Sequence, residues 1–200
     1  MNAQFARNAI GAARVHQLCR KYGPEAVKET MALLIDYSER RMRAAIAEVP
    51  DGTFHGEDMI DDDGLGGGPL TVRATVTING DETAVDFEGT SDQIASNMNS
   101  PFASTVSAAI GCVKAALTSP DIPYNAGITR PVTVTAPYGS LLNPKPPAPV
   151  RARMTATNRV FNAVMKALAQ AVPDKVIATG FDTTTGPYLS RRSEAGYKVY

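Results

Sequence analysis

The chain contains no tryptophan, and aromatic residues occupy only 6% of its 200 positions. A core here must be built from Val, Leu, Ile, Ala and Met. Cysteine is nearly as scarce. Cys19 and Cys112 cannot form a disulfide framework, and neither belongs to a CxxC pair. A reducing, cytoplasmic compartment is the expectation. Net charge is missing too, with 20 Lys and Arg against 20 Asp and Glu. That balance argues against a general polyanion binder, so no nucleic-acid partner is expected, although a local basic pocket stays open. No apolar run is long enough to span a bilayer, and no membrane partner is expected. The opening stretch MNAQFARNAIGAARVHQL has no continuous apolar region, so no secretory leader is expected. What is present is 44% hydrophobic and 20% charged residues, enough to bury a core. The length suits one domain, or two.

The periodicity changes along the chain. From about Asn8 to Tyr22, Ile10, Val15 and Leu18 recur at helical spacing. Gly23 suits a helix end and Pro24 the first turn of the next helix. Val27, Met31, Leu34, Met42, Ile46 and Val49 then mark one face of a long helix. Asp36 and Arg40, and Glu39 and Arg43, stand four apart with the acid first, the favourable order. Pro50-Asp51-Gly52 stops it. The division expected is a helical segment over 1–50 and an α+β segment over 51–200. After the stop the period becomes two. Thr53 to Ile60 reads as a strand, and Leu70 to Ile78 alternates, with Val72, Ala74, Val76 and Ile78 on one side. Asn79-Gly80 is a hairpin signal, and Thr83 to Phe87 returns as its partner. A buried, small-residue helix from Pro101 to about Leu117 follows, with Ser100 or Asn99 as its cap. Pro131 to Ala136 reads as a short strand. The proline-rich stretch Leu142 to Pro149 should be extended, and Val150 to Met154 reads as a strand. A final helix, capped by Thr155 or Thr157, carries Val160, Phe161, Val164, Leu168 and Val172. The fold class expected is α+β: an antiparallel, hairpin-rich sheet with long N-terminal helices and two further packed helices. Gly196 to Tyr200 reads as a strand with nothing to close it, which points to a segment of a longer chain or to a partner that completes the sheet.

Several clusters could carry chemistry. Asp61, Asp62 and Asp63 suggest a cation loop, but Leu65 and Val72 stand where the EF-hand pattern needs oxygen ligands, so a solvated acidic loop is favoured. Gly64 to Gly68 is a poor phosphate cradle because it leads to a strand and not a helix N-terminus. His16 and Cys19 are three apart, a spacing that rarely brings imidazole to sulfur. His55 has no second ligand at zinc-site spacing. Arg151 and Arg153 on one strand face would invite a carboxylate or phosphate, or else would discourage edge pairing. Asp182-Thr183-Thr184-Thr185-Gly186 reads as a hydroxyl-rich turn that caps itself or lines a phosphate or sugar site. Asn97 to Pro101 feeds a helix start that could bind an anion.

Four stretches together resemble one family: YGPEAVKETMALLIDYSERRMRAAIAEVPDGTF, DFEGTSDQIASNMNSPFA, DIPYNAGITRPVTVTAPYGSLLNPKPPAPV, and the helix after TATNRV. They are similar to the B-type subunit of the hydantoinase/oxoprolinase family, whose relatives include N-methylhydantoinase B subunits, the C-terminal part of 5-oxoprolinase and the acetone carboxylase alpha subunit. The resemblance runs from about Asn8 onward. It implies an ATP-dependent hydrolase that opens cyclic amides such as hydantoin or 5-oxoproline. An A-type partner subunit would bind ATP and phosphorylate the substrate oxygen, and the B-type body would carry out the later step beside a divalent metal. The alternative is a non-catalytic assembly module of such a complex, with a further B-type segment or a homo-oligomer as partner. The family's His-Leu-Pro-Asp metal motif is not in this sequence, and its Gly-rich portion would follow Tyr200. The chain is therefore expected to be a central segment that binds neither the metal nor ATP itself. Residues that match family motifs are Asn97, Asn99, Ser100, Pro101, Asn125, Gly127, Arg130, Pro131, Asn143, Pro144, Pro147 and Val150. Most read as turn and packing positions, with Gly127 expected to supply a special backbone angle and Pro131 and Pro147 rigid extension. Asn125, Arg130 and Arg151 are the expected substrate-binding contacts.

Overall fold

Gly23 sets how the chain opens. Its φ of 85° is one that only glycine adopts cheaply, and its amide donates to the Cys19 carbonyl at 2.9 Å. This ends helix α1 (Asn2–Tyr22), and Pro24 starts α2 (Pro24–Ile46). The computed structural model describes residues 2–178, 190–193 and 196–199, so the turn expected at Asp182 to Gly186 lies outside the described residues.

The apolar stripe of α2 has two fates. Met42 and Ile46, with Val49 just beyond, are buried in the core, whereas Met31 and Leu34 stay exposed. Of the two expected ion pairs on α2, Glu39–Arg43 forms at 3.0 Å. Asp36 turns instead to Arg130, on a distant part of the chain.

The sheet has the order β1 (Gly52–Ile60), β2 (Leu70–Asn79), β3 (Glu82–Asp86), β4 (Val132–Thr135). β1–β2 and β2–β3 are antiparallel, as the alternation predicts, and Val72, Ala74, Val76, Ile78 and Val85 face the core. The β2–β3 turn falls one residue later than Asn79-Gly80. Asn79 pairs with Glu82, so the turn residues are Gly80 and Asp81. Only Gly80 has positive φ, at 59°, the arrangement with glycine first. The expected antiparallel, hairpin-rich sheet holds for β1 to β3 and is corrected at the last strand. β4 runs parallel to β3 because the chain between them makes a long crossover through α3 (Phe102–Leu117) and α4 (Ala126–Thr129). Ser190–Ser193 and Gly196–Val199 pair as a separate antiparallel hairpin, so the terminal strand read from the sequence has a partner within the chain.

The expected strand at Val150 to Met154 does not form. The Ala152 amide donates to the Asn97 carbonyl at 2.8 Å and the Arg153 amide to the Val150 carbonyl at 3.3 Å, which closes a turn. Helix α5 begins at Met154 and runs to Leu168. Arg151 and Arg153 therefore do not share a strand face. Neither Thr155 nor Thr157 caps α5, and neither Asn99 nor Ser100 caps α3, since the residues at those N-caps are Arg153 and Pro101. The Thr157 hydroxyl instead donates back to the Arg153 carbonyl at 2.8 Å.

One layer of helices covers one face of the sheet. The α5 residues Val160, Val164 and Leu168 are buried against β1 and β2, with α3 packed on α5 through Ala109, Cys112, Val113 and Ala116. Small residues permit this closeness. A methyl group at Gly56 in β1 would overlap the Ala163 carbonyl oxygen and crowd the Ala167 amide of α5. Gly127 works the same way against the Ile35 carbonyl of α2. Its φ is not positive, so its requirement is close approach and not the special backbone angle expected of it. Pro147 follows a cis peptide bond from Pro146.

Gly56→Ala is expected to destabilise the fold by about 3 kcal/mol, because backbone atoms on both sides leave no room to yield. Urea titration followed by circular dichroism checks this, with a wild-type midpoint as the result that contradicts it.

Candidate functional site

The family-motif residues from Asn97 to Pro101 and from Asn143 to Val150 converge on one junction. Loop 92–101, the turn around Leu141 to Asn143 and the start of α5 meet where α3 begins. Asn99 is its centre and is fully buried. Its side-chain oxygen accepts from the Ile94 amide at 2.9 Å, and its amide nitrogen donates to the carbonyls of Ile94, Ser96 and Pro149 at 2.8, 3.1 and 3.0 Å. The Ser100 amide donates to the Leu141 carbonyl at 2.8 Å. The buried Thr105 hydroxyl meets Ser100 Oγ at 3.1 Å and donates to the Leu142 carbonyl at 2.8 Å, and Thr157 Oγ1 stands 3.4 Å from Ser100 Oγ. Asn143 donates to the Ala136 carbonyl at 3.0 Å. These polar groups satisfy one another, as buried polar groups must. Arg151 and Arg153 stand exposed at the rim of this junction, on the turn that leads into α5.

Asn125 and Arg130 lie elsewhere, at the two ends of α4 and against α2. Asn125 caps α4, its oxygen accepting from the Gly127 amide at 2.8 Å, and its amide nitrogen donates to Ser38 Oγ at 2.9 Å. Arg130 bridges Asp36 at 3.0 Å and Glu39 at 2.7 Å. The Arg130 and Arg43 guanidiniums hold the Glu39 carboxyl below the usual carboxylate range. The structure thus brings Asn125 and Arg130 together on α2, and places Arg151 apart from them.

A third cluster, centred on Asp58, is invisible to motif reading. β1 turns this carboxylate toward α5, where it meets Lys166 Nζ at 2.9 Å, Asn162 Nδ2 at 2.8 Å and Arg159 Nη1 at 3.3 Å. Burial alone would raise its pKa, but the hydrogen bonds and the two cations outweigh burial and hold it below the ordinary 3.8. The sequence signal was the Arg159, Asn162, Lys166 spacing on one helical face, which carries meaning only once the strand opposite is known.

On the outer face of the sheet, polar pairs run across the strands: Thr53 with Thr77 at 3.3 Å, His55 Nδ1 with Thr75 Oγ1 at 3.1 Å, and Glu57 with Arg73 at 2.8 Å. His55, Thr75, Glu57 and Arg73 line a shallow cavity of about 330 Å³ with Glu88. His55 has a hydroxyl partner and Glu57 a cation, so this face can hold a small polar group but presents no activated nucleophile.

The remaining clusters are structural. Asp63 Oδ1 accepts from the Gly67 and Leu65 amides at 2.8 Å each, and these bonds lower its pKa. Those amides are thereby withdrawn from any phosphate. Among the described residues no three His, Cys, Asp or Glu side chains come together to hold a metal ion. Cys112 is buried, its thiol reaches the Phe161 carbonyl at 3.3 Å, and burial pushes its pKa up to about 12, so it is inert. Among the described residues no helix is long and apolar enough to cross a membrane.

Comparison with known proteins finds relatives in both sequence and fold. The family model for hydantoinase B/oxoprolinase matches residues 1–200. The chain belongs to the hydantoinase B/oxoprolinase family. It is 36% identical over its whole length to a Pseudomonas sp. (strain NS671) protein named for the B-type subunit of a D-/L-hydantoinase, and covers 35% of that protein. It is 35% identical to the caprolactamase beta subunit of Pseudomonas jessenii over 90% of this chain and 31% of that one. The crystal structure of ATP-dependent caprolactamase from the same organism superposes with a TM-score of 0.80 at 34% identity, over 87% of this chain and 30% of that one. A nucleotide-free acetone carboxylase shares the fold alone, with a TM-score of 0.73 at 18% identity over 85% of this chain and 25% of that one. The chain thus spans about a third of the length of the first two of these relatives.

Asp58→Asn is expected to cost about 2 kcal/mol of stability at neutral pH by leaving Lys166 and Arg159 without their shared anion. The folded-state pKa is depressed, so the wild-type contribution is full above pH 3.8 and fades as pH falls through the lowered value. Urea titrations at neutral and strongly acidic pH should therefore show the variant and wild type converging in acid. A constant gap across pH is the contrary result.

Proposed function

We propose that this chain is the scaffold segment of the B-type body of an ATP-dependent cyclic amide hydrolase, acting on hydantoins, 5-oxoproline or a related lactam. The reading is supported most by the fold and sequence shared with an ATP-dependent caprolactamase. An A-type partner phosphorylates the amide oxygen, and the B-type body shelters the activated substrate from bulk water until ring opening. Within that body this segment supplies shape. Its convergent polar groups at Asn99, Asn125 and Asp58 knit loops and helices to one another, and the metal donors lie in other parts of the complete polypeptide. The same engagement of polar groups favours the second reading, a non-catalytic assembly module of such a complex.

Of the three substrate contacts expected from the sequence, we propose Arg151 for direct contact, because it stands exposed at the rim of the motif junction. Asn125 and Arg130 are proposed as structural residues that fix α4 on α2. The test uses the full-length polypeptide that carries this segment, assayed with an A-type partner for ATP hydrolysis coupled to ring opening of hydantoin, 5-oxoproline and caprolactam. Coupled turnover is expected on at least one of them. ATP hydrolysis that no cyclic amide stimulates would overturn the enzymatic reading. Arg151→Ala should raise KM with little change in thermal midpoint. Asn125→Ala should lower stability by about 1 kcal/mol, the usual cost of a lost N-cap, and leave KM unchanged. The opposite pattern would reverse these assignments.

A further inference from the structure

Asn79 is the only asparagine of the sequence that glycine follows. Such a step is chemically labile wherever the chain can flex, because glycine has no side chain to shield its amide nitrogen. That nitrogen can attack the carbonyl carbon of the Asn79 side chain. A bond forms from Gly80 N to Asn79 Cγ, the Cγ–Nδ2 bond breaks, and the amide proton leaves with Nδ2 as ammonia. Water then opens the five-membered imide at either carbonyl and leaves an aspartate or an isoaspartate. Asn79 and Gly80 are both exposed, so water reaches them freely.

Two features hold this reaction back. Asn79 is the last residue of β2 and pairs with Glu82 across the hairpin, so its backbone is extended, whereas ring closure needs Gly80 N turned back toward the Asn79 side chain. The second feature comes from 29 residues earlier: Asp51 Oδ1 accepts from the Gly80 amide at 2.8 Å. Asp51 directly precedes β1, and the register that sets Gly52 opposite Ile78 brings its carboxylate to the turn. An amide that donates to a carboxylate is fixed in direction, and the negative charge beside it opposes loss of its proton. We propose that Asn79–Gly80 is a latent deamidation site and that the Asp51 carboxylate is its guard. The reaction is costly to the fold. It adds a negative charge near Asp51, Asp81 and Glu82, where Arg43 already serves Asp81 at 3.3 Å and Glu82 at 3.1 Å. An isoaspartate also puts an extra methylene into the backbone next to Ile78, which is buried in the core, and so disturbs the β2–β3 pairing. The hairpin therefore ages once Asp51 is displaced. This inference does not depend on the enzymatic reaction proposed above.

Peptide mapping by mass spectrometry tests this on the complete polypeptide that carries the segment, incubated at mildly alkaline pH. Loss of the Asn79 amide is read as the mass change from amide to acid, and isoaspartate by its separate elution. Folded wild type should lose the amide many times more slowly than the same polypeptide unfolded in urea. Asp51→Ala should speed the loss in the folded state about tenfold, the change that one charge-assisted hydrogen bond allows. In urea, where the contact is gone, it should match wild type. Asp51→Ser, which also removes the carboxylate but suits the same turn, should repeat the effect, with circular dichroism checking that each variant is folded. Arg43→Ala loosens the turn from α2 without touching the Gly80 amide, and should stay close to the wild-type rate. A folded wild type that reacts as fast as the unfolded polypeptide overturns the proposal. So do folded Asp51 variants no faster than wild type, or an Arg43→Ala variant as fast as Asp51→Ala, since hairpin mobility and not the carboxylate would then set the rate.

Discussion

The contact on which the rest of this structure depends is the seating of α5 on β1 at Gly56. The Ala163 carbonyl lies where any side chain at position 56 would have to be. That closeness brings Asp58 within reach of Arg159, Asn162 and Lys166. It also lets Lys166 donate to the Glu57 carbonyl at 3.0 Å and Gln170 to the His55 carbonyl at 2.6 Å. β1 has a strand neighbour on one side only, so these side chains occupy carbonyls that would otherwise invite another chain. One missing methyl group thus allows the core to close, a half-buried carboxylate to be satisfied, and a sheet edge to be protected.

α4 is fixed by the same device on a smaller scale. Gly127 permits backbone contact with α2, Asn125 ties the helix start to Ser38, and Arg130 ties its end to Asp36 and Glu39. The result anchors the crossover that lets β4 run parallel to β3. The third knot, at Asn99, holds the starts of α3 and α5 together. Three junctions therefore set the relative placement of α2, α3, α4 and α5 on the sheet. None of the three combines a nucleophile, a base and an open approach.

The helical hairpin stands apart from this economy. Its lower half completes the core, while its upper half exposes apolar side chains.

Much of this was written in the sequence. The alternation of Leu70 to Ile78, the Gly23-Pro24 break, the long stripe of α2 and the small-residue character of α3 follow from local periodicity and backbone chemistry, which act within a few residues. The family motifs were equally legible as strings. What only the tertiary structure decided were questions of distance between remote segments. Whether Asp36 pairs with Arg40 or Arg130, whether Gly127 serves a turn or a contact, and which way β4 runs depend on neighbours far along the chain. The brief alternation at Val150 to Met154 was misleading for that reason, since a strand needs a strand beside it and the Asn97 carbonyl claimed the backbone first. Asp58 was silent in the sequence because a lone carboxylate acquires its meaning from the helix that folds across it.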